Sequence, residues 1–185
     1  MVPIRENYKD YQPPRYARST IGKLLSSLPT HYLLGLQSVV LTNATAIGKG
    51  KTHRIQGRKY LRNSCLGYYH HKWKGEPAWI EIVVDNVIAA HLAPSVSFLI
   101  YIPIIRDFAF ADTLFHEVGH HLDRTIGSPA RGAEAAAESW KERLMVSYFR
   151  YFCKHYWYFV PFVGIAKALV ARVIRRREAS EKALL

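Results

Sequence analysis

Acidic residues and cysteine are what this sequence has least of. Fourteen Asp and Glu stand against 26 Lys and Arg, which leaves a formal net charge of +12. Cysteine occurs only as Cys65 and Cys153, far apart and outside any CxxC pair. That excludes a disulfide scaffold and a cysteine-based zinc finger, and makes a reducing compartment the expected setting. Long apolar runs are missing as well. Tyr156 to Ala166 covers eleven residues before Lys167 interrupts it, whereas a membrane span needs about 20. The first residues, MVPIRENYKDYQPPRY, place no apolar stretch behind their basic side chains, so a cytoplasmic chain without a signal peptide is expected. No internal repeat or low-complexity tract is visible.

What is present is enough apolar material for a core, at 49% hydrophobic against 22% charged residues, so wholesale disorder is excluded. At 185 residues one domain is expected. Residues 1–18 read as a polar arm, and 19–185 as a single domain whose last part, 150–185, is a basic helical tail. STIGKLLSSL (19–28) suits a capped helix stopped by Pro29. QSVVLT (37–42), WIEIVVDNVI (79–88) and FLIYIPI (98–104) read as strands, with CLGYYHH a further candidate. Asp85 and Asn86 read as ending a strand in a turn. Residues 49–74 carry eight basic side chains and no acid, and read mostly as a glycine-punctuated loop.

From about Arg106 the pattern turns helical. Phe108, Ala111, Leu114, Phe115, Val118 and Leu122 recur near a 3.6-residue period. Gly127, Pro129 and Gly132 break it, and AEAAAESWKERLMVSYF resumes as a second helix. Strands first and helices afterwards point to an α+β fold.

Inside the first of these helices lies His116-Glu117-Val118-Gly119-His120, an HExxH motif. Histidines four residues apart project from one helical face and can share a zinc ion, while Glu117 can act as general base on an activated water. Gly119 removes a side chain between them, which suits close packing. An antiparallel hairpin brings Glu134 level with His120 and Glu138 level with His116. Two histidines and one glutamate make a catalytic zinc set, one ion per chain. Glu138 then accepts a hydrogen bond from a ligand histidine, as Asp123 also can. A swap, with Glu138 as ligand and Glu134 in support, fits the same spacing. His121 falls off the ligand face and reads as a surface or interface histidine. Tyr68-Tyr69 and His70-His71 read as a strand-end aromatic cluster, or as donors lining a substrate cleft.

HEVGHHLD followed by EAAAESW resembles the gluzincin metallopeptidases, in particular those of the anthrax lethal factor and Pro-Pro endopeptidase kind. The likeness is firm over Phe115–Trp140. It implies a zincin-like domain, with a small mixed sheet before the active-site helix and an edge strand that holds extended peptide. WIEIVVDNV or FLIYIPI would be that strand. It implies zinc on His116, His120 and Glu134, with Glu117 as catalytic base. Thirteen residues separate His120 from Glu134, far fewer than in lethal factor, and Ile126 to Ala133 has no Tyr where such enzymes carry one.

A zinc-dependent peptidase acting on a peptide or protein is therefore the expectation. The alternatives are a zinc-binding protein without efficient turnover, and a basic nucleic-acid-associated protein with an incidental HExxH. Residues 49–74 and the tail offer weak association with an anionic membrane or nucleic-acid surface, though they match no recognised nucleic-acid module.

Overall fold

A computed structural model of the chain describes residues 1–48, 52–55, 58–91, 99–127 and 132–155. It is a mixed α+β structure built on a small four-stranded sheet. Two compact units divide it, Met1–Met145 and Val146–Leu185. Of the second, the described part is the end of one helix, to His155. The proposed tail beyond His155 lies outside the described residues.

In the first unit, β1 (Ile4–Asn7), β2 (Leu36–Thr42), β6 (Ala78–Val83) and β5 (Gly67–His70) lie side by side in that order. β1, β2 and β6 run parallel, and β5 returns antiparallel along β6. Val39 pairs with Ile80 and Leu41 with Ile82, and all four are fully buried. Because neighbouring residues in register share a face of a sheet, these four form one apolar row across the two central strands.

Two helices cover that core. α1 (Tyr16–Ser26) buries Ala17, Ile21, Leu24 and Leu25, an i, i+4, i+7, i+8 stripe, and packs on β1 and on α4 (Pro103–Thr125). Pro103 opens α4 where its missing N–H has no intrahelical acceptor to lose. Phe110, Leu114, Phe115, Val118 and Leu122 form its buried face, which rests on β5 and β6. The helix stops where the amides of Ile126 and Gly127 both turn back to the Leu122 carbonyl. α5 (Ala133–His155) follows.

Several expectations need correction. Residues 1–18 are not an arm. Ile4–Asn7 is an edge strand paired to β2, and α1 begins at Tyr16. The strand drawn over 79–88 ends at Val83, where Val84–His91 becomes a helix, α3. Asp85 and Asn86 therefore sit in the first turn of a helix. The Asp85 carboxylate accepts the Ala44 amide of the short α2 (Ala44–Ile47). The Asn86 amide donates to the carbonyls of Asn63 and Cys65, which pins the chain before β5. In FLIYIPI, residues 99–101 form a helical turn and Pro103 starts α4. Phe98 lies outside the described residues. The basic stretch 49–74 is not mainly loop: Thr52–Ile55 (β3) pairs antiparallel with Arg58–Leu61 (β4), and β5 follows. No helix among the described residues is long and apolar enough to cross a membrane.

Candidate metal centre

His116, Glu117 and His120 all stand on α4, whose apolar face is fixed against β5 and β6. Two glycines let other elements approach this segment. A Cβ on Gly119 would lie 2.5 Å from the Ala137 carbonyl oxygen, so α5 touches α4 backbone to backbone between the two histidines. On the other side, a Cβ on Gly67 would come within 2.9 Å of the Glu117 side chain. The start of β5 thus lies directly against the motif.

The approach of α5 carries Glu134 to both histidines. Its Oε2 is 3.5 Å from His116 Nε2 and its Oε1 is 3.7 Å from His120 Nε2. The imidazoles are nearly perpendicular, with centroids 4.8 Å apart. One ligand atom from each of the three residues lies within 4.8 Å of the others, a group that can hold a metal ion. All three are half-buried. Burial, and then the neighbouring His116, holds the His120 imidazole below its usual pKa, so the neutral, ligating form dominates near neutrality.

Glu138, one turn further along α5, meets the other nitrogen of His116. Its Oε2 lies 3.3 Å from Nδ1. The other oxygen, Oε1, is 2.7 Å from Lys141 Nζ, which also reaches Asp112 Oδ1 at 3.0 Å. Glu134 therefore joins the two histidines, and Glu138 supports one of them from outside. Among the described residues, Asp123 makes no hydrogen bond to either histidine and acts on His120 only through its charge.

The Glu117 side chain lies against Gly67 at the start of β5 and is almost fully buried. Burial, reinforced by the charge of Glu134, pushes its carboxyl up to about 8, against a hydrogen bond from the Tyr69 backbone. These residues line a cleft of about 740 Å³. Gly67, Tyr68 and Tyr69 form its strand wall, Glu134 and Lys141 part of its helix wall.

His121 is not on the surface. It is almost wholly buried, with Nε2 3.0 Å from the Leu34 carbonyl and Nδ1 3.2 Å from the Tyr69 hydroxyl. An Nε2–H tautomer satisfies both, donating to Leu34 and accepting from Tyr69. The residue bolts α4 to β5 and to the segment before β2. Tyr69 is thereby occupied, and does not serve as a free donor in the cleft. His70 stacks on Trp79 at 3.6 Å and faces Glu81, while His71 lines the cleft. The strand beside the site is thus β5. WIEIV lies in the interior strand β6, and FLIYIPI is no strand over its described residues.

Lys141, Asp112 and Gly67 were not singled out by the sequence. The i, i+3 spacing of Glu138 and Lys141 was readable as a helical pair. Their link to Asp112 depends on how two helices cross.

Neither family models, nor curated proteins, nor solved structures yield a match to this chain.

Proposed function

We propose that the chain is a zinc-dependent peptidase of gluzincin type, with a zincin-like fold. The observation that carries the reading is the placement of Glu134 across both HExxH histidines, at 3.5 and 3.7 Å. Ligand atoms around a tetrahedral ion with bonds of about 2.0–2.1 Å lie about 3.3–3.4 Å apart. The two Glu134 contacts lie within a few tenths of an ångström of that spacing, one through each carboxylate oxygen, and the three ligand atoms lie within 4.8 Å of one another; the donors are two imidazoles and one carboxylate. His116 and His120 would bind through Nε2, Glu134 through its carboxylate, and Glu138 would hold Nδ1 of His116. Bound zinc supplies Lewis acidity, which lowers the pKa of water and polarises a carbonyl.

The remaining chemistry belongs to the chain. Glu117 sits one residue from a ligand, almost out of water, and is a far stronger proton acceptor than an exposed carboxylate. It takes the proton of the attacking water and delivers it to the departing amine. Among the described residues β5 is the outer strand on the cleft side of the sheet, and the rest of its outer edge, beyond the Tyr69 backbone group that Glu117 takes up, offers backbone hydrogen bonds to an extended substrate peptide. The basic segments would at most bring the enzyme to anionic surfaces.

Metal analysis of purified protein is expected to give about one zinc per chain under the one-site model, and His120→Ala is expected to lose it. Glu117→Gln is expected to retain zinc and lose cleavage of a peptide library. Folded wild type without zinc affinity refutes the metal reading; undiminished cleavage by Glu117→Gln removes that residue from its role.

A further inference from the structure

α5 offers His116 two glutamates of identical chemistry one turn apart. Glu134 lies 3.5 Å from Nε2 and Glu138 lies 3.3 Å from Nδ1. Spacing along the helix does not choose which becomes the ligand. Lys141 does. Its ammonium is held between Glu138 on its own helix, at 2.7 Å, and Asp112 on α4, at 3.0 Å. Its side chain is only 17% exposed. Asp112 stands one turn before His116, so the lysine ties the two helices together at the turn that carries the ligand.

The consequence follows from the two oxygens of Glu138. With Oε1 on the ammonium, only Oε2 is left to face the ring, and it faces Nδ1. A histidine whose Nδ1 is held by an outer carboxylate presents Nε2 in a fixed orientation. Glu134 has no lysine or arginine ion pair among the described residues, where its ion-pair contacts are the two histidines. From this arrangement we infer that Lys141 is a positioning residue. By clamping Glu138 against Asp112, it reserves Glu138 for Nδ1 of His116 and leaves Glu134 as the metal ligand. The inference rests on the metal reading of His116, His120 and Glu134.

The test is zinc affinity, measured by competition with a chromophoric chelator. Lys141→Met is expected to weaken binding about tenfold, the lower end of what outer partners contribute, and Lys141→Arg to recover most of it. If the lysine acts through Glu138, the same Lys141→Met change in a Glu138→Ala background causes no further loss. A merely structural role lowers the melting temperature of the chelated protein without this dependence on Glu138. Asp112→Asn removes one side of the clamp and is read in the same way, with a smaller expected loss, should Lys141→Met not fold. Unchanged affinity in these variants, or losses that add to that of Glu138→Ala, overturn the role of Lys141. Failure of the wild type to bind zinc overturns the metal reading instead.

Discussion

Replacing Gly119 by alanine tests how the site is assembled without touching any ligand. The new Cβ would stand 2.5 Å from the Ala137 carbonyl oxygen, and 3.0 and 3.1 Å from that residue's Cα and carbonyl carbon. All three are backbone atoms, so no side chain can rotate away. Real Cβ atoms essentially never approach another atom closer than 3.0 Å, so α5 must withdraw from α4 by at least about 0.5 Å, the tolerance of a well-built site. Two contributions to stability oppose each other. Overpacking of this kind costs about 1–3 kcal/mol, while alanine gains about 1 kcal/mol over glycine inside a helix. Net destabilisation of about 1 kcal/mol is expected, too little to unfold the domain. Glu134 moves with α5, however, whereas His116 and His120 stay with α4. Zinc affinity should therefore fall about 10- to 100-fold, as when a supporting group is lost. Chelator competition measures it, with urea unfolding of the metal-free protein as the control. Wild-type affinity in Gly119→Ala would refute the claim that backbone contact between the helices sets the ligand geometry.

Three further outcomes follow from other parts of the structure. His121→Ala removes a buried ring and strands the Leu34 carbonyl and the Tyr69 hydroxyl. A loss of about 2–4 kcal/mol is expected in urea unfolding, and a loss below 1 kcal/mol would show that the bolt contributes little. Burial raises the Glu81 carboxyl, but hydrogen bonds from His70 and Arg62 and the charge of Arg62 outweigh it and hold its pKa below the usual value. The unfolded chain then binds the proton more readily, so this group's stabilisation is present above its unfolded pKa and lost as pH falls through the folded one. Unfolding titrations from neutral to acid pH should show a steeper decline for wild type than for Glu81→Gln; parallel curves would remove the linkage. Asn86→Ala, which removes the donor to the Asn63 and Cys65 carbonyls, should cost about 1–3 kcal/mol and raise amide exchange in β5, and unaltered exchange there would count against its pinning role.

The candidate site was more legible than the fold around it. HExxH needs only the helical period to bring His116 and His120 together, and a short turn with Gly127 and Gly132 implies the hairpin that returns Glu134. Both inferences use local geometry. The strands were harder, because their limits depend on partners distant in sequence. Ile4–Asn7 has polar side chains over most of its length, and it is a strand because β2 offers a parallel edge beside it. In Trp79–Ile88 the change from strand to helix falls between Val83 and Val84, two identical apolar residues, and the polar pair Asp85-Asn86 that reads as a turn lies inside the helix. His121 escapes the sequence pattern because α4 has a second buried face besides the one that carries the motif's ligands. α4 in fact packs on β5 as well as facing α5, and His121 is the polar contact within that second face.

The charge distribution separates structural from functional acids. Glu81 and Asp107 are buried, and each is matched by an arginine or lysine of the chain: Arg62 for the first, Lys23 for the second. Asp112, in the cleft, and Glu138 share Lys141. Glu117 and Glu134 differ. In a chain with 26 basic residues, neither has a lysine or arginine ion pair among the described residues, and their mutual repulsion helps to raise the Glu117 carboxyl. A cation bound between the histidines and Glu134 would relieve that repulsion and favour the ionised form of Glu117, the form a general base requires. The two carboxylates therefore stand together where the proposed chemistry needs negative charge.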